Sequence, residues 1–169
     1  MSWPVITLEP RTAAHAEALF AVLADPALYE FVAEQPPVSV QALRDRFAHS
    51  ESRKSPDGSE HWLNWVVRGP ASEVAGYVQA TVDANLETNV AYMFDKAHWG
   101  QGLATQAVSR MLDMVASEFG VTRFFIVAER ANLRSIRVAE RLGFAQATAA
   151  LIMRKGTAAS DVLMHKLWP

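Results

Sequence analysis

The chain has 169 residues, half of them apolar, with eight Gly, eight Pro, no Cys and a formal net charge of −2. That length suffices for one domain with a sizeable core. The near-neutral charge gives no whole-surface attraction to nucleic acid or to an anionic membrane, and the lack of cysteine excludes a disulfide framework, a thiolate metal site and a cysteine nucleophile together.

Pro4, Glu9 and Pro10 interrupt the apolar core that a signal peptide needs. No apolar run approaches the ~20 residues of a bilayer span. A soluble, cytoplasmic protein is the expectation. "VITL" (Val5 to Leu8) reads as a first strand closed by Pro10. From Thr12, a plausible cap, Ala16, Leu19, Phe20, Leu23 and Ala24 recur at helical spacing, and Asp25-Pro26 stops the helix. After "LYEFV" and the breaker "QPP", Ser39 suits the N-cap of a second helix carrying Leu43 and Phe47. "SRKSPDGSE" is a polar loop.

"HWLNWVVRG", "EVAGYVQATV" and "NVAYMF" read as three strands, the last two joined by a turn at Asp83 to Thr88. "HWGQGLATQAV" then enters a helix running to about Ser117, with Leu103, Ala107, Met111, Leu112 and Val115 on one face. "VTRFFIVAE" is an apolar run without polar alternation, which suits a buried strand. "NLRSIRVAERLGF" is an amphipathic helix ending at Gly143, and "AQATAALIMR" and "SDVLMHKLW" read as two closing strands. The order β-α-α-β-β-β-α-β-α-β-β describes one α+β domain over residues 1–169, without internal repeat or linker.

A strand ending at Phe94, a glycine-containing loop and a helix starting near Gly102 form an anion-binding geometry. The first turn of a helix leaves backbone N–H groups unpaired and carries the positive end of its dipole. Gly100 and Gly102 let that backbone approach a ligand, and Thr105 adds a hydroxyl. Alone, such a segment is a flexible turn or cap more often than an anion site, since it has neither a P-loop lysine nor a full G-x-G-x-x-G.

Together, W-G-x-G-x-A-T at Trp99 to Thr105 and the downstream "NLRSIRVAERLGF" resemble the GCN5-related N-acetyltransferase (GNAT) superfamily. The amino-terminal "ITLEPRTAAHAEALFAVLADPALYEFV" and Trp99 resemble its ribosomal-protein N-terminal acetyltransferase branch. The resemblance implies a mostly antiparallel sheet flanked by helices, with acetyl-CoA as cosubstrate and no metal. It implies that the backbone of Gln101, Gly102, Leu103, Ala104 and Thr105 holds the pyrophosphate, with Gly100 shaping the approach. The pantetheine arm would pair with Met93 and Phe94 where their strand splays from "FFIVAE", and a free N–H there would stabilise the oxyanion. Asn132 would bond that arm, although it is equally a helix N-cap. Ser135 would stand near the sulfur as proton donor, with Tyr92 as a second donor. Arg130, Arg134, Arg137 and Arg141 either meet the nucleotide 3′-phosphate or form a solvated helix face.

Transfer to an amine needs that amine neutral. Glu87, beside Asp83, is the candidate base, for which a raised pKa would be suitable. Histidines 15, 49, 61, 98 and 165 show no metal-ligand spacing, and His98 reads as a loop residue. For the acceptor, Tyr29, Phe31, Trp62 and Trp65 offer aromatic walls, one Trp belonging to the core by alternation, while Glu30 and Glu34 would attract a cationic amine. The expected activity is N-acetylation of a primary amine, a peptide N-terminus or a small molecule. A non-catalytic CoA-binding module and the use of a longer acyl-CoA are the alternatives. Members of this branch often dimerise, so the resemblance allows a homodimer, on which the sequence itself is silent; no nucleic-acid or membrane partner is expected.

Overall fold

A computed structural model describes residues 4–169; residues 1–3 of the expected domain lie outside the described residues. Seven strands form one sheet in the order β1-β2-β3-β4-β5-β7-β6. They are β1 (Thr7–Pro10), β2 (His61–Arg68), β3 (Val74–Val82), β4 (Glu87–Phe94), β5 (Arg123–Glu129), β6 (Ala145–Gln146) and β7 (Asp161–Leu167). The helices are α1 (Ala16–Leu23), α2 (Val40–Ser50), α3 (Leu103–Phe119), α4 (Leu133–Arg141) and α5 (Ala149–Lys155). All pairings are antiparallel except β4 with β5. Among the described residues no helix is long and apolar enough to cross a membrane.

The expected order holds with one correction. "AQATAALIMR" is not a strand: only Ala145–Gln146 pair with β7, and the rest forms α5. Thr148 caps it, its hydroxyl accepting from Leu151 N–H, and Gly156 ends it at φ 64°. Ala, Leu, Met, Arg and Lys are strong helix formers. Two smaller shifts occur at the amino end. β1 begins at Thr7 and includes Pro10, as an edge strand tolerates. The helix expected from Thr12 opens with a 3-10 turn at Ala13–His15. Ser39 caps as expected, accepting from Ala42 N–H at 3.0 Å, and Asp25, read as a helix stop, also caps a 3-10 turn by accepting from Ala27 N–H at 2.9 Å.

Each face of the sheet has its own core. Leu63, Trp65 and Val67 of β2 point to one side, with Val78, Ala80, Val90, Phe94, Phe124 and Ile126, beneath Leu103, Ala107, Met111, Leu112 and Val115 of α3 and Val138 and Ala139 of α4. Val66 points to the other side, beneath Leu19, Leu23, Leu43 and Phe47 of α1 and α2. Period-two alternation thus sorts the tryptophans. Trp65 is core at 4% exposure, while Trp62 is half-buried.

The parallel seam decides where a ligand can enter. β4 and β5 pair only at Glu87↔Arg123, Thr88↔Phe124 and Asn89↔Phe125, then diverge. Residues 90–94 of β4 keep β3 on one side and have no strand on the other.

Candidate active site

The end of β4 is held close against β3. A Cβ on Gly76 would stand 2.8 Å from Phe94 Cα and closer still to the Met93 carbonyl, so only glycine allows this approach. The ladder bonds Asp95 N–H to the Ala75 carbonyl at one end and Asp83 N–H to the Glu87 carbonyl at the other. With the uninterrupted register between them, the alternation assigns Met93 to Tyr77 as a bonded pair. The backbone groups facing the gap are therefore those of Tyr92 and Phe94, which corrects the expectation for Met93. Trp99 Nε1 donates to the Phe94 carbonyl at 3.0 Å, leaving the Phe94 N–H directed at the gap. Met93 lines the adjoining cavity and packs against the α1–α2 core.

Beyond Phe94, Asp95 caps a 3-10 turn at Lys96–His98 by accepting from Ala97 N–H. Gly100 and Gly102 follow at φ 74° and 78°, the left-handed region that glycine adopts without Cβ strain. Gly102 is the N-cap of α3 and has no side chain to satisfy the helix terminus. Among the described residues, the N–H groups of residues 100 to 105 find no hydrogen-bond acceptor. Thr105 Oγ1 is buried without a partner in the same turn. Gln101 folds its amide onto the Ala97 carbonyl at 2.9 Å, and the Leu103 side chain is core, so both offer backbone only.

Opposite this loop stands α4. Asn132 caps it, its Oδ1 accepting from Ser135 N–H at 3.2 Å, which leaves the amide nitrogen free to donate. Arg134, Arg137 and Arg141 line a cavity of ≈ 340 Å³ with Gly100, Gly102, Ala104 and Thr105. Arg134 lies 3.4 Å above the Trp99 ring. Arg130 is elsewhere, donating to the Ala159 carbonyl. A narrower cavity continues past Ala104 to Tyr92, Met93, Asn132 and Ser135. There the Tyr92 hydroxyl meets Ser135 Oγ at 2.9 Å and donates to the Ser135 carbonyl at 3.0 Å. Burial pushes the Tyr92 phenol up to about 12, so it is protonated at neutral pH.

A basic cavity on a helix N-terminus, opening into a neutral cleft beside an unpaired strand, fits a long anionic cofactor with an extended arm. An acetyltransferase (GNAT) domain model matches residues 6–145. The chain belongs to this family. Probable N-acetyltransferase YjcK of Bacillus subtilis is 32% identical over 79 residues, 47% of this chain and 39% of that one. The chain spans only about two fifths of the length of the curated relatives it matches. The GNAT fold recurs in RimL, ribosomal L7/L12 alpha-N-protein acetyltransferase, in complex with coenzyme A. That likeness has TM-score 0.80 and 20% identity, covering 96% of this chain and 93% of that one. It recurs too in the Vibrio cholerae spermidine N-acetyltransferase in complex with CoA and spermine, with TM-score 0.75 and 14% identity over 96% and 95% of the two chains.

Within this GNAT domain Glu87, the expected base, is engaged in ion pairs. Arg154 of α5 grips its carboxylate with two bonds of 2.9 and 3.0 Å, and Arg123 adds a second cation at 3.9 Å. The Arg154 bonds hold its pKa below the ordinary carboxylate range, opposite to what a base needs. It also sits at the seam, five residues along β4 from Tyr92. His98 is likewise structural, bonded to Glu73 at 2.9 Å.

Of the residues expected at the acceptor, Glu34 and Trp62 line a cavity of ≈ 500 Å³ on the α1–α2 face. Tyr29 is tied to the Leu23 carbonyl at 2.8 Å, while Phe31 and Glu30 line neither this cavity nor the cleft. Sequence reading missed Arg11, Arg46 and Tyr77, which share the cavity. They come from three separate elements, and no local motif marks them. Among the described residues no group of His, Asp or Glu could hold a metal ion.

Proposed function

We propose that the protein is an acetyl-CoA-dependent N-acetyltransferase that moves an acetyl group directly to a primary amine, as the ribosomal-protein N-terminal branch does. The observation that carries this reading is the run of unengaged N–H groups at 100–105, reached through two left-handed glycines and faced by three arginines. Bound acetyl-CoA would supply an acyl group activated as a thioester. Gly102, Ala104 and Thr105 bind its pyrophosphate with N–H groups and the Thr105 hydroxyl. Arg134, Arg137 and Arg141 neutralise the phosphates. The Phe94 N–H donates to the carbonyl oxygen as negative charge develops there. Asn132 Nδ2 donates to the pantetheine arm. When the Tyr92 hydroxyl donates to Ser135 Oγ, the Ser135 hydroxyl is free to donate to the departing sulfur.

No carboxylate or histidine lines the cleft around Tyr92 and Ser135 among the described residues. The amine therefore arrives neutral, or yields its proton to water, rather than to a fixed base. The likeness to RimL supports the branch, and a cytoplasmic homodimer belongs to the same proposal.

Calorimetric titration with acetyl-CoA tests it, followed by thiol release on a panel of amines. Gly102→Asp puts a carboxylate at the helix N-terminus, where the pyrophosphate lies, and forces a side chain into φ 78°. Binding should weaken at least 100-fold. Normal binding by this variant refutes the cofactor assignment, and tight binding with no turnover on any amine favours a non-catalytic module.

A further inference from the structure

The ≈ 500 Å³ cavity beneath α2 is built differently from the acyl-CoA cleft. Its floor is Trp62, Asn64, Tyr77 and Gln79 of β2 and β3, and two arginines stand over it. Arg11 follows β1, its N–H donating to the Asn64 carbonyl and its guanidinium to Ser50 Oγ, both at 2.9 Å. That guanidinium lies 4.0 Å from the centre of the Phe47 ring, and Arg46 flanks the same ring at 5.9 Å. Arg11 Nε is buried with no hydrogen-bond partner. Among the described residues neither arginine has a carboxylate within ion-pair distance, and Glu34 is the one acid on the lining.

A guanidinium withdrawn from water without an anion is costly, and this one is also beside a second cation. Burial, then Arg46, bring the Arg11 pKa down to about 10, still charged at neutral pH. The floor of the cavity pairs with the strand that carries the cleft. Tyr77 is the cross-strand partner of Met93, and Met93 lines the cleft with Tyr92 and Ser135.

Resting on the acetyltransferase reading above, we infer that the acceptor carries a carboxylate besides its amine and docks it between Arg11 and Arg46. The substrate class is then an acidic amino compound, above all a peptide N-terminus with an adjacent Asp or Glu, rather than a polyamine or aminoglycoside. Two guanidinium groups against Glu34 leave one net positive charge. A carboxylate matches that charge, a phosphate dianion exceeds it and a polycation is repelled.

The test uses matched peptides with Glu, Gln or phosphoserine at the second position, together with spermidine. The Glu peptide should exceed the Gln peptide at least 10-fold in kcat/KM. Arg46→Gln should abolish that preference, and Arg46→Glu should reverse it, with the acetyl-CoA Kd unchanged in both. Arg46 is exposed on α2 and can be changed without loss of the fold, whereas Arg11 packs on a core ring. Equal use of the Gln peptide or of spermidine overturns the inference, and superior use of the phosphopeptide overturns the carboxylate assignment. Calorimetry of the Glu peptide without acetyl-CoA separates the two readings. Arg46-dependent binding sustains this inference even where no acetyl transfer occurs, and binding that is absent or indifferent to Arg46 sinks it.

Discussion

Replacing Tyr92 by Phe removes one oxygen and leaves the ring in place. In the folded protein that oxygen makes two contacts, with the Ser135 carbonyl at 3.0 Å and Ser135 Oγ at 2.9 Å. Each hydrogen bond is worth about 1 kcal/mol net, so stability should fall by about 1–2 kcal/mol. At this chain length that is a Tm decrease of roughly 3–6 °C. Loss of the group that orients the Ser135 donor toward the departing thiolate acts on the barrier instead and should lower kcat about 100-fold or more. This corresponds to ~2.7 kcal/mol in the transition state. Thiol release under saturating acetyl-CoA and acceptor measures kcat, and calorimetry should show an unchanged acetyl-CoA Kd. A thioester with a more acidic thiol needs less help in leaving and should restore much of the loss. A kcat within threefold of wild type, beside the expected Tm decrease, would refute the donor role and leave Tyr92 as a buried strut.

Glu87→Gln should retain kcat, where removing a true base would lose 100-fold or more. Because the folded pKa of Glu87 lies below its unfolded value, its contribution to stability is present above the unfolded carboxylate pKa and is lost as pH falls through the folded one. Thermal melts should therefore show a lower Tm for the variant at pH 7 and a shallower decline on acidification. With no base in the cleft, kcat/KM should rise with pH along the titration of the acceptor amine. Shifting that amine's pKa by choice of acceptor should shift the profile equally, and a fixed inflection near pH 6–7 across acceptors would reveal an enzyme base. Gly76→Ala drives a Cβ against the Met93 carbonyl and Phe94 Cα. Overpacking of this kind costs about 1–3 kcal/mol. Here it should also weaken acetyl-CoA binding, because the displaced residues carry the N–H that faces the gap.

Local chemistry was legible in the sequence. Ser39 marks a helix start, Asp25-Pro26 and Gly143 mark helix stops, and alternation sends one tryptophan of β2 into the core. The glycine loop and α4 could be read as one site because each carries its own cap or turn signal. What was not legible depends on residues distant in sequence. Whether Met93 or Phe94 faces the gap follows from a ladder register fixed ten residues away, at the Asp83–Glu87 turn. Glu87 looked like a free turn carboxylate because its partner stands 67 residues later. That partner is in α5, whose Thr148 cap and terminal glycine were local signals available in the sequence, but its apolar run suggested a strand. Arg11 and Arg46 converge only when β1 and α2 are folded over β2.

The three-residue seam between β4 and β5 gives the molecule a mechanical character. Four strands on one side and three on the other are joined along three residue pairs and splay apart toward Phe94, in the shape of a clothes peg. Glu87, set aside as a base, sits at the pivot, where it ties β5 through Arg123 and α5 through Arg154. An unpaired strand on the outside of a protein invites another chain to add to it. Here the unpaired stretch is internal, between the jaws and roofed by α4, so the arm of a small molecule can complete the sheet where a second protein cannot reach.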